Sequence, residues 1–254
     1  MDFKQKLENY QKIINEELEK YMTEKNCPEK MLYQAMKYSV MAGGKRLRPI
    51  LVIATYQLFN EDIEKCMPYA IAIEMVHNSS LIHDDLPGID NDDIRHGKPT
   101  NHKQFNEATA ILAGDTLQNK PYEIISQDLK ESKPEELSKK IRVLEEFAQA
   151  TKNMLSGQFV DTQSEGKSIS EETLKYIHQN KTGAFLKLCV RMGAILAKAS
   201  EKDIENLSIY AEKIGLAFQI KDDILSEEGD EKTLGKPVGN DKKLEKCTYV
   251  AKYG

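Results

Sequence analysis

The chain has 254 residues, with 36 Lys and Arg against 41 Asp and Glu, a net charge of −5 and 40 % hydrophobic residues. Acids and bases are interspersed, so no concentrated basic face for nucleic acid is present, and no apolar run approaches the ~20 residues that cross a bilayer. An anionic ligand must therefore be held by local basic residues or by metal ions. Cys27, Cys66, Cys189 and Cys247 form no C-x-x-C pair. That argues against a zinc site and reads as free thiols in a reducing compartment. The N-terminal MDFKQKLENYQKIINEELEK is amphipathic and carries both charges, unlike a signal or transit peptide. The expected location is the cytoplasm.

Helix signals dominate along the chain. Residues 3–24 place Phe3, Leu7, Tyr10, Ile13, Ile14, Leu18 and Tyr21 on one stripe. Pro28 opens a second helix through Met31, Ala35, Met36 and Val40, which Gly43-Gly44 ends. Pro49 opens a third, Ile50 to Phe59. Pro68 opens a fourth, Tyr69 to Asp85, apolar almost all round and so expected to be buried on most sides. Residues 104–130 form a long helix. Ser132-Lys-Pro-Glu135 has capping-box spacing and predicts the start of the next. Ser170 and Ser200 are candidate N-caps. No strand alternation with hairpin turns stands out, and residues 87–101 and 227–243 read as irregular. The expectation is an all-α fold, a single domain over 1–254.

Both irregular stretches follow an aspartate pair, Asp84-Asp85 and Asp222-Asp223, at the end of a helix. Loops so placed tend to carry function. In His83-Asp84-Asp85-Leu86-Pro87-Gly88-Ile89-Asp90-Asn91-Asp92-Asp93 the carboxylates raise one another's pKa. A divalent cation relieves that repulsion, and Mg²⁺ takes one or two carboxylates together with substrate phosphate oxygens. Asp84 and Asp90 do not share a helical face, but Pro87-Gly88 allows a bend that brings them to one ion. A solvated acidic loop would carry the same composition. Gly43-Gly44-Lys45-Arg46-Leu47-Arg48-Pro49 sets three cations in a turn before a helix. That suits an anion site, or a plain helix end with surface charges. Arg95-His96-Gly97-Lys98, Lys181-Thr182-Gly183 and Lys232-Thr233-Leu234-Gly235-Lys236 each read singly as solvated cations. Together they set bases for phosphate beside acids for metal.

These segments resemble the trans-isoprenyl diphosphate synthases, the polyprenyl synthetase family. LIHDDLPGIDNDDIRHGKPTNHKQF is similar to the family's first aspartate-rich motif with its basic tail, and FQIKDDIL to the second. The resemblance implies long, mostly antiparallel helices around a central cavity, usually in a homodimer. It implies Mg²⁺-assisted ionisation of an allylic diphosphate and attack by isopentenyl diphosphate, giving a farnesyl or geranylgeranyl product of fifteen or twenty carbons. Asp84, Asp90 and Asp222 would ligate metal, with Asp85 supporting. Arg95, Lys181 and Lys236 would hold the allylic diphosphate, and Lys45, Arg48 and His77, with His96 beside Arg95, the isopentenyl diphosphate. Thr182 and Gln219 would face the developing cation. Ser79 and Ser80 would form the tunnel floor that sets chain length. His77 alone also reads as a core histidine.

The chain departs from the family pattern at four places. His96 stands where a second arginine is usual, and Ser226 where the second motif's last aspartate is usual. Pro121 is expected to kink or restart its helix. Gly254 comes before the further C-terminal helices usual in the family, so part of the cavity cover is expected to be missing or supplied by a dimer partner. Two rival readings remain at this point. One is a degenerate paralogue that binds diphosphates or serves a partner subunit. The other is a His-Asp phosphohydrolase built on His77 and His83-Asp84.

Overall fold

A computed structural model describes residues 2–23 and 26–228. The helices are α1 Phe3–Tyr21, α2 Lys30–Val40, α3 Leu47–Tyr56, α4 Met67–Asp84, α5 Asn101–Gln104, α6 Glu107–Glu131, α7 Pro134–Gln163, α8 Glu171–Ile177, α9 Ala184–Leu196 and α10 Glu201–Glu228. A π-helical segment, His178–Gly183, joins α8 to α9.

α4 is the axis of the molecule. Every residue from Tyr69 to Val76 is buried, as its all-round apolar sequence predicts. α6 packs along it antiparallel. Tyr69 donates to Asp128 Oδ2 at 2.6 Å at one end, and His83 Nε2 meets the Ile111 carbonyl at 3.2 Å at the other. Gly114 permits this approach, since a Cβ there would lie 2.2 Å from the His83 ring. α7 runs back along α6, with Tyr122 edge-on to Phe147 and Lys140 bonded to Asp128. α9 returns along α7 through Arg191–Glu146, and α10 along α9 through Lys187–Glu212. Among the described residues the architecture is thus all-α and mostly antiparallel.

Three expectations change. Pro121 does not restart its helix: α6 runs unbroken from Glu107 to Glu131. Apolar burial on both sides of the proline, at Ala113 and Leu117 and at Ile124 and Ile125, holds the two halves on the core and outweighs one lost backbone hydrogen bond. Ser132 is not an N-cap. Its hydroxyl donates back to the Asp128 carbonyl, and α7 starts instead on Pro134, whose φ suits a first turn. Residues 94–99 form a hairpin, Ile94–Arg95 against Lys98–Pro99. His96 and Gly97 turn it with φ of 52° and 73°, the handedness that two-residue hairpins favour. Ser170 and Ser200 do cap, each accepting the backbone N–H three residues on.

Candidate active site

After Val76, burial along α4 is no longer continuous. His77, Ser80, Leu81 and Asp84 are half-buried at spacings of three, one and three, one stripe on the central helix. Ser79, between them in sequence, is turned away and only 2 % exposed. The Ser80 hydroxyl donates to the His77 carbonyl at 2.8 Å.

Beyond Asp84 the chain folds back on itself. The Asp90 N–H donates to the Asp84 carbonyl at 2.8 Å, and the Ile89 and Asn91 N–H groups both donate to Leu86 O. The Pro87-Gly88 bend therefore returns Asp90 to the end of α4. Asp85 points the other way, inward. It is 3 % exposed and accepts a forked contact from Arg95, Nε to Oδ1 and Oδ2 at 2.7 and 2.9 Å. Burial pushes Asp85 up to about 6, and Arg95 opposes that shift. The Arg95 Nη2 also lies 3.5 Å from Asp92. Arg95 is thus anchored from below, and the hairpin turn carries His96 to Gly44, whose Cβ position would be 3.6 Å from the imidazole.

Gly43, Gly44 and Arg46 all have positive φ (119°, 108° and 52°), which reverses the chain between α2 and α3. Of the three cations in this turn, one is structural. Arg46 points into the core, donating to Asn15 Oδ1, Glu74 Oε1 and the Val40 carbonyl. Lys45 stays exposed, and Arg48 sits in the first turn of α3. Arg48 Nη1 is 3.1 Å from His77 Nε2, while its Nε is buried without a hydrogen-bond partner. Burial and then Arg48 hold His77 well below its ordinary value, so it is neutral near pH 7. His77 is half-buried and touches Arg48 rather than filling the core.

The facing wall comes from the π-helical segment and α10. Lys181 Nζ donates to Asp161 Oδ2 of α7 at 2.6 Å. Burial alone would lower Lys181, but Asp161, Asp84 and Asp90 more than offset it, and its ammonium titrates above the ordinary value. Lys181 therefore lies in the field of both carboxylates at the end of α4. Thr182 donates to Gln219 Oε1 at 2.8 Å. Asp222, exposed one turn further on, contributes to the field at Arg48. π-helical turns gather at functional sites, and this one aims Lys181 and Thr182 at successive points of the wall. Lys236 lies outside the described residues, as do the side chains of Asp223 and Ser226.

Asp161 is the partner of Lys181 that the motifs did not flag. Its signal is Gly157 in the interior of α7. A Cβ there would lie 2.3 Å from the Lys181 backbone nitrogen, so α7 must carry glycine for the π-helical segment to come this close.

Among the described residues no group of three or more His, Cys, Asp or Glu side chains could hold a metal on its own. Half-buried carboxylates at Asp84 and Asp90, with Asp222 opposite, fit a hard divalent cation that completes its shell with phosphate oxygens and water. The histidines do not form a metal site. His83 meets the Ile111 carbonyl and Asp115, and His77 meets Arg48, which removes the ligands a His-Asp phosphohydrolase needs.

The polyprenyl synthetase family model matches residues 29–254. The chain belongs to the polyprenyl synthetase family. This polyprenyl synthetase is 44 % identical to a farnesyl diphosphate synthase of Geobacillus stearothermophilus over 253 residues, 99 % of this chain and 84 % of the relative. It is 46 % identical to a geranylgeranyl diphosphate synthase of Cyanophora paradoxa, over 88 % of this chain and 74 % of the relative. It superposes with a TM-score of 0.82 and 28 % identity on the crystal structure of a Helicobacter pylori geranyltransferase complexed with magnesium and isoprenyl diphosphate, covering 96 % and 82 % of the two chains.

Proposed function

We propose that this polyprenyl synthetase is an Mg²⁺-dependent prenyltransferase that joins an allylic diphosphate head to tail with isopentenyl diphosphate, giving a fifteen- or twenty-carbon prenyl diphosphate. The carrying observation is Lys181, held by Asp161 in the field of Asp84 and Asp90 across the site. A cation facing accessible carboxylates is the polar half of a metal–diphosphate site. The H. pylori neighbour's complex with magnesium and isoprenyl diphosphate supports the same reading.

Asp84 and Asp90 would hold Mg²⁺ from one wall and Asp222 from the other. Bound Mg²⁺ would supply Lewis-acid charge to the departing diphosphate. Lys181 and Arg95 grip that diphosphate, with Lys236 as a third cation, and stabilise the charge that grows on it as the C–O bond breaks. Thr182 and Gln219 present oxygen dipoles to the allylic cation. Lys45, Arg48, His77 and His96 hold isopentenyl diphosphate so that its double bond meets the cation, and proton loss completes the step. Ser80 floors the accessible stripe beneath Asp84 without blocking it.

The proposed assembly is a homodimer in the cytoplasm. Exposed Ile111 and Leu112 on α6 support an apolar contact between copies, and the free, buried Cys66 and Cys189 support a reducing location. Among the described residues no helix is long and apolar enough to cross a membrane.

The test is purified protein with Mg²⁺, geranyl diphosphate and labelled isopentenyl diphosphate. Labelled prenyl diphosphate that vanishes with chelator and with Asp84→Ala is the expected result. No extractable product from the protein alone favours the degenerate, partner-dependent reading instead.

A further inference from the structure

His96 and Arg95 are carried by a hairpin too small to hold itself. Its ladder has two residue pairs, Ile94 with Pro99 and Arg95 with Lys98, and an isolated two-stranded hairpin is marginal in water. Something outside the ladder must fix it, and that support is α2 with the residues just after the hairpin. The Tyr38 hydroxyl donates to the Pro99 carbonyl at 2.8 Å, and its ring stands edge-on to Phe105, centroids 5.7 Å apart. Asn101, 2 % exposed, donates from Nδ2 to the Ala35 carbonyl and to Ser39 Oγ, both at 2.8 Å. Thr100 Oγ1 closes the base of the loop on the Asp92 carbonyl at 2.8 Å.

The space between this platform and the hairpin is about 20 Å³, bounded by Tyr38, Ser39, Asn78, Arg95, His96 and Asn101. The chain leaving α2 at Val40 turns through Gly43-Gly44-Lys45, and the His96 ring lies against Gly44. One turn of α2 therefore sets the spacing between His96 and the basic turn before α3.

We propose that Tyr38 and Asn101 are positioning residues for isopentenyl diphosphate, acting through His96. The proposal rests on the function argued above for this site. The two hairpin side chains depend on the platform unequally. Arg95 has its own anchors in Asp85 and Asp92, whereas His96 takes its place from the turn. Loss of the platform therefore falls on the isopentenyl diphosphate and spares the allylic partner.

The test uses Tyr38→Phe, which keeps the ring contact and deletes one hydrogen bond, and Asn101→Ala. Tyr10→Phe is the control, since it deletes a tyrosine bond to Gln57 elsewhere in the fold. In Tyr38→Phe and Asn101→Ala, KM for isopentenyl diphosphate should rise roughly threefold to tenfold, the scale of one lost hydrogen bond. The allylic KM and kcat should change less than twofold, and Tyr10→Phe should match wild type in all three. Equal rises in both KM values, a fall confined to kcat, or no change overturns the proposal. A second readout needs no turnover. The His96 imidazole proton resonance, identified by its loss in His96→Arg, should shift in Tyr38→Phe and not in Tyr10→Phe. An unmoved resonance also overturns the proposal. A resonance shifted in Tyr38→Phe, with wild-type protein that makes no prenyl product, would leave the positioning role standing and reject the proposed reaction.

Discussion

Lys181 reaches Asp161 at 2.6 Å because Gly157, one turn earlier on α7, lets the π-helical segment lie against that helix. The ammonium is fixed from behind while Asp84 and Asp90 attract it from in front. Removing Asp161 should therefore hurt chemistry more than folding. Asp161→Asn is expected to lower kcat about 10–100-fold, the range found when groups that orient a metal site are removed. Its melting temperature should stay near wild type. Steady-state kinetics beside a melting curve decide this, and a kcat within twofold of wild type would rule Asp161 out as the orienting group.

The two serines of the expected tunnel floor are not equivalent. Ser80 lies on the accessible stripe with His77 and Asp84, whereas Ser79 is 2 % exposed in the packed side of α4. Ser80→Phe should shorten the product by at least one five-carbon unit. Ser79→Phe should instead overpack the core, at a cost of roughly 1–3 kcal/mol. Chromatography of products, with urea unfolding of both variants, separates the two effects. Shorter product from Ser79→Phe alone would reverse the assignment.

Much of this site was legible because its chemistry is local in sequence. The Pro87-Gly88 bend between Asp84 and Asp90 announces the fold-back seen in the Asp90–Asp84 backbone hydrogen bond. The all-round apolar run from Tyr69 announces a buried α4. What escaped was whatever depends on a partner far along the chain. Arg46 looks like its neighbours Lys45 and Arg48, and only the fold shows that Glu74, Asn15 and Val40 claim it. Asp161 is one acid among many on α7 until Lys181 arrives beside it. The helix does not restart at Pro121 because local propensity was outweighed by packing on both sides. His96-Gly97 was a readable turn signal, since glycine supplies the positive φ such hairpins need, but strands of two residues leave no alternation to detect.

The buried Arg46–Glu74 pair, 2.8 Å apart with side chains 2 % and 4 % exposed, ties the basic turn to the middle of α4. Glu74→Ala leaves a buried guanidinium without its counter-charge and should cost about 3–5 kcal/mol. The double variant Arg46→Met with Glu74→Leu should recover much of that loss, because it also removes the desolvated charges. Urea unfolding of the single and double variants measures both. A double variant no more stable than Glu74→Ala would mean that Arg46 also stabilises through Asn15 and Val40.

His96 and His77 make the isopentenyl diphosphate side of the site sensitive to acid. Burial and then Arg95 and Arg46 hold His96 below 6.5, and burial and then Arg48 hold His77 well below it. Both are neutral at pH 7 in the free protein. A bound diphosphate favours the protonated imidazole, so protons are taken up on binding and affinity should rise as pH falls from 8 toward 6. Folding stability has the opposite sign. Below 6.5 the unfolded chain binds protons that these two imidazoles do not, so stability falls as pH drops through that window. His96→Arg supplies a permanent charge and a forked donor. It should tighten isopentenyl diphosphate about tenfold at pH 8, the scale of one charge-assisted contact, and flatten the pH dependence. Calorimetric titration at pH 6, 7 and 8 checks both parts. An affinity for the arginine variant equal to wild type at pH 8 would remove His96 from the site.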